Sequence, residues 1–66
     1  MAKIWEPQSI EVYRSWCEVI LDEASDGLSD WETSFIESIG GQLNNNRQLT
    51  QRQAEILERI YSEKTS

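Results

Sequence analysis

With 66 residues and a formal charge of −6, the chain has room for one small core and none for a second domain. Cys17 is the single cysteine and histidine is absent, which excludes an intrachain disulfide and argues against a zinc site. The acidic total disfavours ordinary duplex DNA binding, which draws its affinity from Lys and Arg neutralising phosphates, and no apolar run approaches a membrane span.

The opening stretch, Met1 to Pro7, lacks the continuous apolar segment of a signal peptide, so the expectation is a soluble, cytoplasmic protein. One unpaired thiol agrees with a reducing compartment. The first predicted helix covers about residues 8 to 25: Ile10, Tyr13, Cys17, Ile20 and Ala24 recur at intervals of 3, 4, 3 and 4, flanked by Trp16 and Leu21. Pro7 suits its first turn and Asp26-Gly27 its stop.

A second helix, about 30 to 43, opens at Ser29-Asp30-Trp31-Glu32, where the Ser29 hydroxyl can accept from a free backbone amide and Glu32 can reach back to the cap. Its apolar side is expected to hold Trp31, Phe35, Ile36, Ile39 and Leu43, with Trp31 pointing into the core. Gly40-Gly41 weakens its late part, each glycine costing about 1 kcal/mol relative to alanine, so the helix is expected to end or fray there. Gln42 to Gln48 is polar and reads as a connection. The third helix, about 51 to 62, begins at a second capping box, Thr50-Gln51-Arg52-Gln53, and carries Ala54, Leu57, Ile60 and Tyr61 on one side. No strand alternation, internal repeat or low-complexity tract interrupts this order. The expected architecture is one all-α, three-helix domain over residues 1–66, with 1–7 and 62–66 frayed.

Charge is uneven along these elements. Residues 1–40 hold nine acidic side chains against Lys3 and Arg14, a net of −7; residues 41–66 hold three against Arg47, Arg52, Arg59 and Lys64, a net of +1. An acidic front and a near-neutral rear imply two different surfaces.

Little in the chain points to catalysis, and no cofactor or metal is expected. Asp22 to Gly27 has the outline of a calcium loop, but Ala24 occupies the third ligand position and Thr33 the place of the bidentate Glu. Paired carboxylates such as Glu18 and Asp22 lie on an exposed face, where nothing shields them from water. Cys17 falls in the apolar stripe and reads as a small core residue, not a nucleophile. Three tryptophans exceed what so small a core needs; Trp5 and Trp16 either cover the core edge or contact a partner, with Leu21 beside them.

Leu49-Thr50-Gln51-Arg52-Gln53-Ala54-Glu55-Ile56-Leu57-Glu58-Arg59-Ile60-Tyr61 resembles the opening helix of the helix-turn-helix in sigma-factor region 4. Those domains read DNA with a further helix, which does not follow here, so the shared demands of a capped amphipathic helix account for the likeness. Residues 28 to 61, Leu28-Ser29-Asp30-Trp31-Glu32 through Phe35-Ile36-Glu37-Ser38-Ile39 to Ile56-Leu57-Glu58-Arg59-Ile60-Tyr61, are similar to a short helical hairpin found in small proteins of phages and mobile elements. That resemblance implies an accessory factor docking on a DNA-processing protein, here through Trp5, Trp16 and Leu21.

Two other readings stand beside it. Glu11, Glu18, Asp22, Glu23 and Asp26 would carry an acidic, phosphate-mimicking inhibitor of a nucleic-acid-binding enzyme. Arg47, Arg52 and Arg59 with exposed aromatics would carry weak single-stranded nucleic-acid binding. A homodimer is compatible with all three, because the first stripe is wider than a three-helix core requires.

Overall fold

A computed structural model describes residues 4–65; of the stretches expected to fray, residues 1–3 and 66 lie outside the described residues, while residues 62–64 continue the third helix beyond its expected end at 62. Three α-helices and one turn of 3₁₀ helix make up its regular structure, as the all-α reading requires. Helix α1 spans Ile10–Glu23, α2 Asp30–Asn44 and α3 Gln51–Lys64.

Each start is set by a side-chain cap. In α1 the Ser9 hydroxyl accepts from the Val12 amide at 3.2 Å, so the helix begins two residues beyond the expected position and Pro7 stays outside it. The two expected capping boxes are present: Ser29 with Glu32 on α2, and Thr50 with Gln53 on α3. Alpha-helical bonding in α1 stops at Ala24, and Ser25–Gly27 form the 3₁₀ turn that leads to the Ser29 cap.

Gly40-Gly41 does not end α2, which continues to Asn44. Their backbone angles need no glycine, and a Cβ at either position would meet open space. Ile39 and Leu43, both buried on either side of the pair, hold this part of the helix by packing. The helix ends instead three residues later. Asn46, at φ 60°, adopts the left-handed conformation; its amide donates to the Leu43 carbonyl at 2.9 Å and the Arg47 amide to the Gln42 carbonyl at 3.0 Å. These two bonds form a Schellman motif with asparagine in the place glycine usually takes.

The core comprises Tyr13, Cys17 and Ile20 of α1, Ile36, Ile39 and Leu43 of α2, Ala54, Leu57 and Ile60 of α3, and Leu49 of the connection. Helix α1 packs against both others, whereas α2 and α3 touch each other only slightly. Polar links fix this arrangement at its ends. The Arg14 guanidinium donates through Nη2 to the Leu43 carbonyl at 3.1 Å, placing a cation at the negative end of α2. Gln42 and Gln53 exchange side-chain amide hydrogen bonds of 3.1 and 3.2 Å, stitching the end of α2 to the start of α3. At the other end Lys64 Nζ donates to the Gly27 carbonyl at 3.0 Å. The arm before α1 is clasped at Gln8: its amide donates to the Tyr13 hydroxyl at 3.0 Å, and its carbonyl accepts from Gln48 Nε2 at 2.9 Å.

A candidate docking groove between α2 and α3

Because α2 and α3 are tied at their ends and barely touch between them, their outer sides diverge into an open groove. Ile56 and Ile60 of α3 form its floor, Trp31 of α2 one rim, and Arg52 and Arg59 the other. Glu32 and Glu63 close the end nearest the Ser29 cap. Trp31 does not point into the core: it is 60 % exposed and lies flat on Phe35, ring centroids 5.3 Å apart at 8°. The expectation of a core position fails because the buried stripe of α2 is centred on Ile36, Ile39 and Leu43. At 100° per residue, Trp31 falls roughly 110° from that centre, on the α3 side. α3 lies too far away there to cover it.

The groove is lined by charges of both signs. Arg52 and Arg59 stand seven residues apart on α3, two turns along one side, with Ile56 between them. Glu32 accepts from the Ser29 backbone amide at 2.9 Å. That bond, opposed by desolvation and aided to a lesser degree by Lys64, the Ser29 hydroxyl and Arg59, holds its carboxyl below the usual carboxylate range. Acidic and basic side chains thus alternate along the groove: Glu55 lies between Arg52 and Arg59, and Arg59 and Lys64 act on Glu32.

The residues singled out in the sequence scatter over other surfaces. Trp16 is half-buried, stacked on Tyr61 at 4.9 Å and 16°, with Tyr13 edge-on at 5.4 Å, so it seals the seam between α1 and α3. Trp5 is half-buried against the core and borders Glu58 and Ser62 of α3. Leu21, 38 % exposed, is the large apolar side chain that α1 leaves at the surface. It borders a shallow depression between α1 and α2 floored by Gly40 and Gly41. Glu11, Glu18, Asp22 and Glu23 are all exposed on α1, and Asp26 on the turn that follows. Of the three arginines expected to contact nucleic acid, Arg52 and Arg59 share the groove while Arg47 lies on the connection, apart from them. The sequence reading passed over Ile56, although its position one turn from both Arg52 and Arg59 marked it as their neighbour.

Cys17 is buried, and burial together with the nearby Glu18 charge pushes its thiol up to about 11, so it stays protonated and unreactive at neutral pH. Among the described residues no group of three metal-ligating side chains comes together. No described helix is long and apolar enough to cross a membrane. No family model matches the chain, and neither a curated protein sequence nor a solved structure matches it.

Proposed function

We propose that the chain is a small, non-catalytic interaction protein that docks on a partner protein through the groove between α2 and α3. One observation carries this reading: Trp31, a large aromatic side chain, stands 60 % exposed over an apolar floor with two arginines opposite. Tryptophan and arginine around a partly desolvated apolar centre are the side chains that dominate the energetics of protein interfaces. The hairpin resemblance points to an accessory factor of phage or mobile-element type, with a DNA-processing protein as the partner. On this reading the docking surface is Trp31 and Ile56, with Trp5 and Trp16 covering the edge of the core.

Capture from a bacterial lysate by the wild type and by Trp31→Ala, side by side, tests this. Recovery of a DNA-processing protein by the wild type and its loss from the variant is expected. Equal recovery by both, or none by either, sinks the reading.

A second reading rests on the exposed carboxylates of α1. Glu11, Glu18 and Asp22 form one stripe over three turns, about 16 Å long, on a helix whose other side is occupied by the core. This arrangement suits an inhibitor that presents carboxylates in place of nucleic-acid phosphates. Target binding that weakens steeply with salt, and falls on Glu11→Gln/Glu18→Gln while Trp31→Ala is silent, distinguishes it from docking.

A further inference from the structure

Three glutamines, Gln42, Gln48 and Gln53, knot the chain where α2 passes into α3. Gln42 Nε2 donates to the Gln48 carbonyl at 2.9 Å and to Gln53 Oε1 at 3.1 Å, and Gln42 Oε1 accepts from Gln53 Nε2 at 3.2 Å. Gln53 Oε1 also accepts from the Thr50 amide at 3.0 Å, the bond that caps α3. Gln48 reaches out of this knot. Its Oε1 accepts from the Leu49 amide at 2.8 Å, leaving its Nε2 to face the arm before α1, where it donates to the Gln8 carbonyl at 2.9 Å.

Gln8 is thus a bridge. Its amide is held by the hydroxyl of Tyr13, a buried residue of α1, and its carbonyl by the connection between α2 and α3. Trp5 anchors the arm further along, half-buried against the core beside Glu55 and Glu58 of α3. Any one of these bonds contributes little where water can replace it, but in a connected set each holds the groups that the next requires. Residues 48–50 lie outside every helix, so the burial of Leu49 and these bonds are what fix them.

Independently of the docking reading, we propose that residues 5–8 form a strap on the α2–α3 joint, with the Tyr13 hydroxyl as its latch and Gln48 as its link. With the strap in place the joint is held from α1 as well as from within. With the strap released, Gln48 keeps only its bonds inside the joint, and residues 48–50 open more often. The joint is the end of the groove where Gln42 meets Gln53, so a surface that draws Trp5 off α3 changes the groove's opening from a distance without entering it.

Amide hydrogen exchange of the full chain, read residue by residue by nuclear magnetic resonance, tests the strap in Tyr13→Phe, Trp5→Ala, Gln48→Ala and Tyr13→Phe/Gln48→Ala. Tyr13→Phe removes the latch oxygen and keeps the ring against Trp16. Exchange of the Gln8 amide, and with it of the Thr50 amide and the Gln53 side-chain amide, is expected to rise about two- to tenfold relative to Ile39 in α2, the weight of one hydrogen bond. Trp5→Ala, which frees the arm at its other anchor, should raise the same joint amides. With Gln48→Ala already present, Tyr13→Phe should free Gln8 and leave the joint unchanged. A joint unmoved by both arm variants overturns the proposal, as does a rise that Ile39 shares, which is general loosening, or one that persists in the Gln48→Ala background, which bypasses the link.

Discussion

Two aromatic pairs occupy equivalent places in this bundle and meet opposite fates. At the α1–α3 seam Trp16 lies on Tyr61, backed by Tyr13, and the seam is closed. At the α2–α3 seam Trp31 lies on Phe35, a residue of its own helix, and the seam stays open. The difference arises from reach. Tyr61 on α3 comes within stacking distance of Trp16 on α1, while the apolar side chains that α3 turns towards Trp31 are Ile56 and Ile60. Aromatic residues at helical spacing thus indicate a side of a helix, and the neighbour decides whether that side is interior or surface.

The largest expected effect breaks or confirms the contrast directly. Trp16→Ala should destabilise the fold by about 2–3 kcal/mol, less than a fully buried tryptophan because Trp16 is half-buried. For a domain this small that is a fall of about 10–20 °C in Tm. Trp31→Ala should cost under about 1 kcal/mol, the value of its stack on Phe35. Thermal melts of the two variants by circular dichroism make the comparison; equal losses would mean that both seams are closed.

The next effect concerns the joint that sets the two helices apart. Asn46→Val places a β-branched residue at φ 60° and should cost about 1–2 kcal/mol, whereas Asn46→Gly should leave stability unchanged or raise it. Urea unfolding midpoints read both. If valine is tolerated, the Schellman motif does not govern the angle between α2 and α3.

On the side of α2 away from the groove, Gly40→Ala and Gly41→Ala should each gain about 0.5–1 kcal/mol, because the helix continues through both and a Cβ has open space. A loss in the same urea assay would show that these positions are sterically constrained after all.

The smallest effect is a pH dependence at the Glu32 end of the groove. Glu32 has its pKa lowered in the fold, so its contribution is present above the unfolded value of about 4.3 and is lost as pH falls through the native value. The homologous cap on α3 uses Gln53 and does not titrate. Glu32→Gln should flatten part of the decline in Tm as pH falls below about 4.3. Identical wild-type and variant profiles would remove Glu32 from the acid response.

The three helices were legible because each body carries a 3.6-residue period and α2 and α3 open on capping boxes, whereas the start of α1 was set on Pro7 and not on its cap, Ser9. Most of the expected stripes of α1 and α3 are core for the same reason: Tyr13, Cys17, Ile20, Ala54, Leu57 and Ile60 are buried, while Ile10, Ala24 and Tyr61 at their ends are half-buried. What escaped were features set by competition between signals. Gly40-Gly41 looked like a stop because propensity was weighed without the packing of Ile39 and Leu43 across it. Asn44 to Arg47 looked like featureless connection, although asparagine is the residue other than glycine that tolerates a left-handed cap. The groove was hidden because its making depends on the separation of α2 from α3, a tertiary distance to which no local pattern is sensitive. Arg52 and Arg59 were noticed, but as nucleic-acid contacts grouped with Arg47 and not as the rim opposite Trp31.

Since α1 supplies the surface on which both other helices pack, and α2 and α3 hardly touch without it, the hairpin of residues 30–64 has no interior of its own. During synthesis α1 and α2 can pack on each other as soon as both have emerged, whereas α3 finds its place chiefly against α1. Proteolysis or truncation within α1 should therefore unravel the whole chain in one step, so that its cellular lifetime is governed by the integrity of residues 10 to 23.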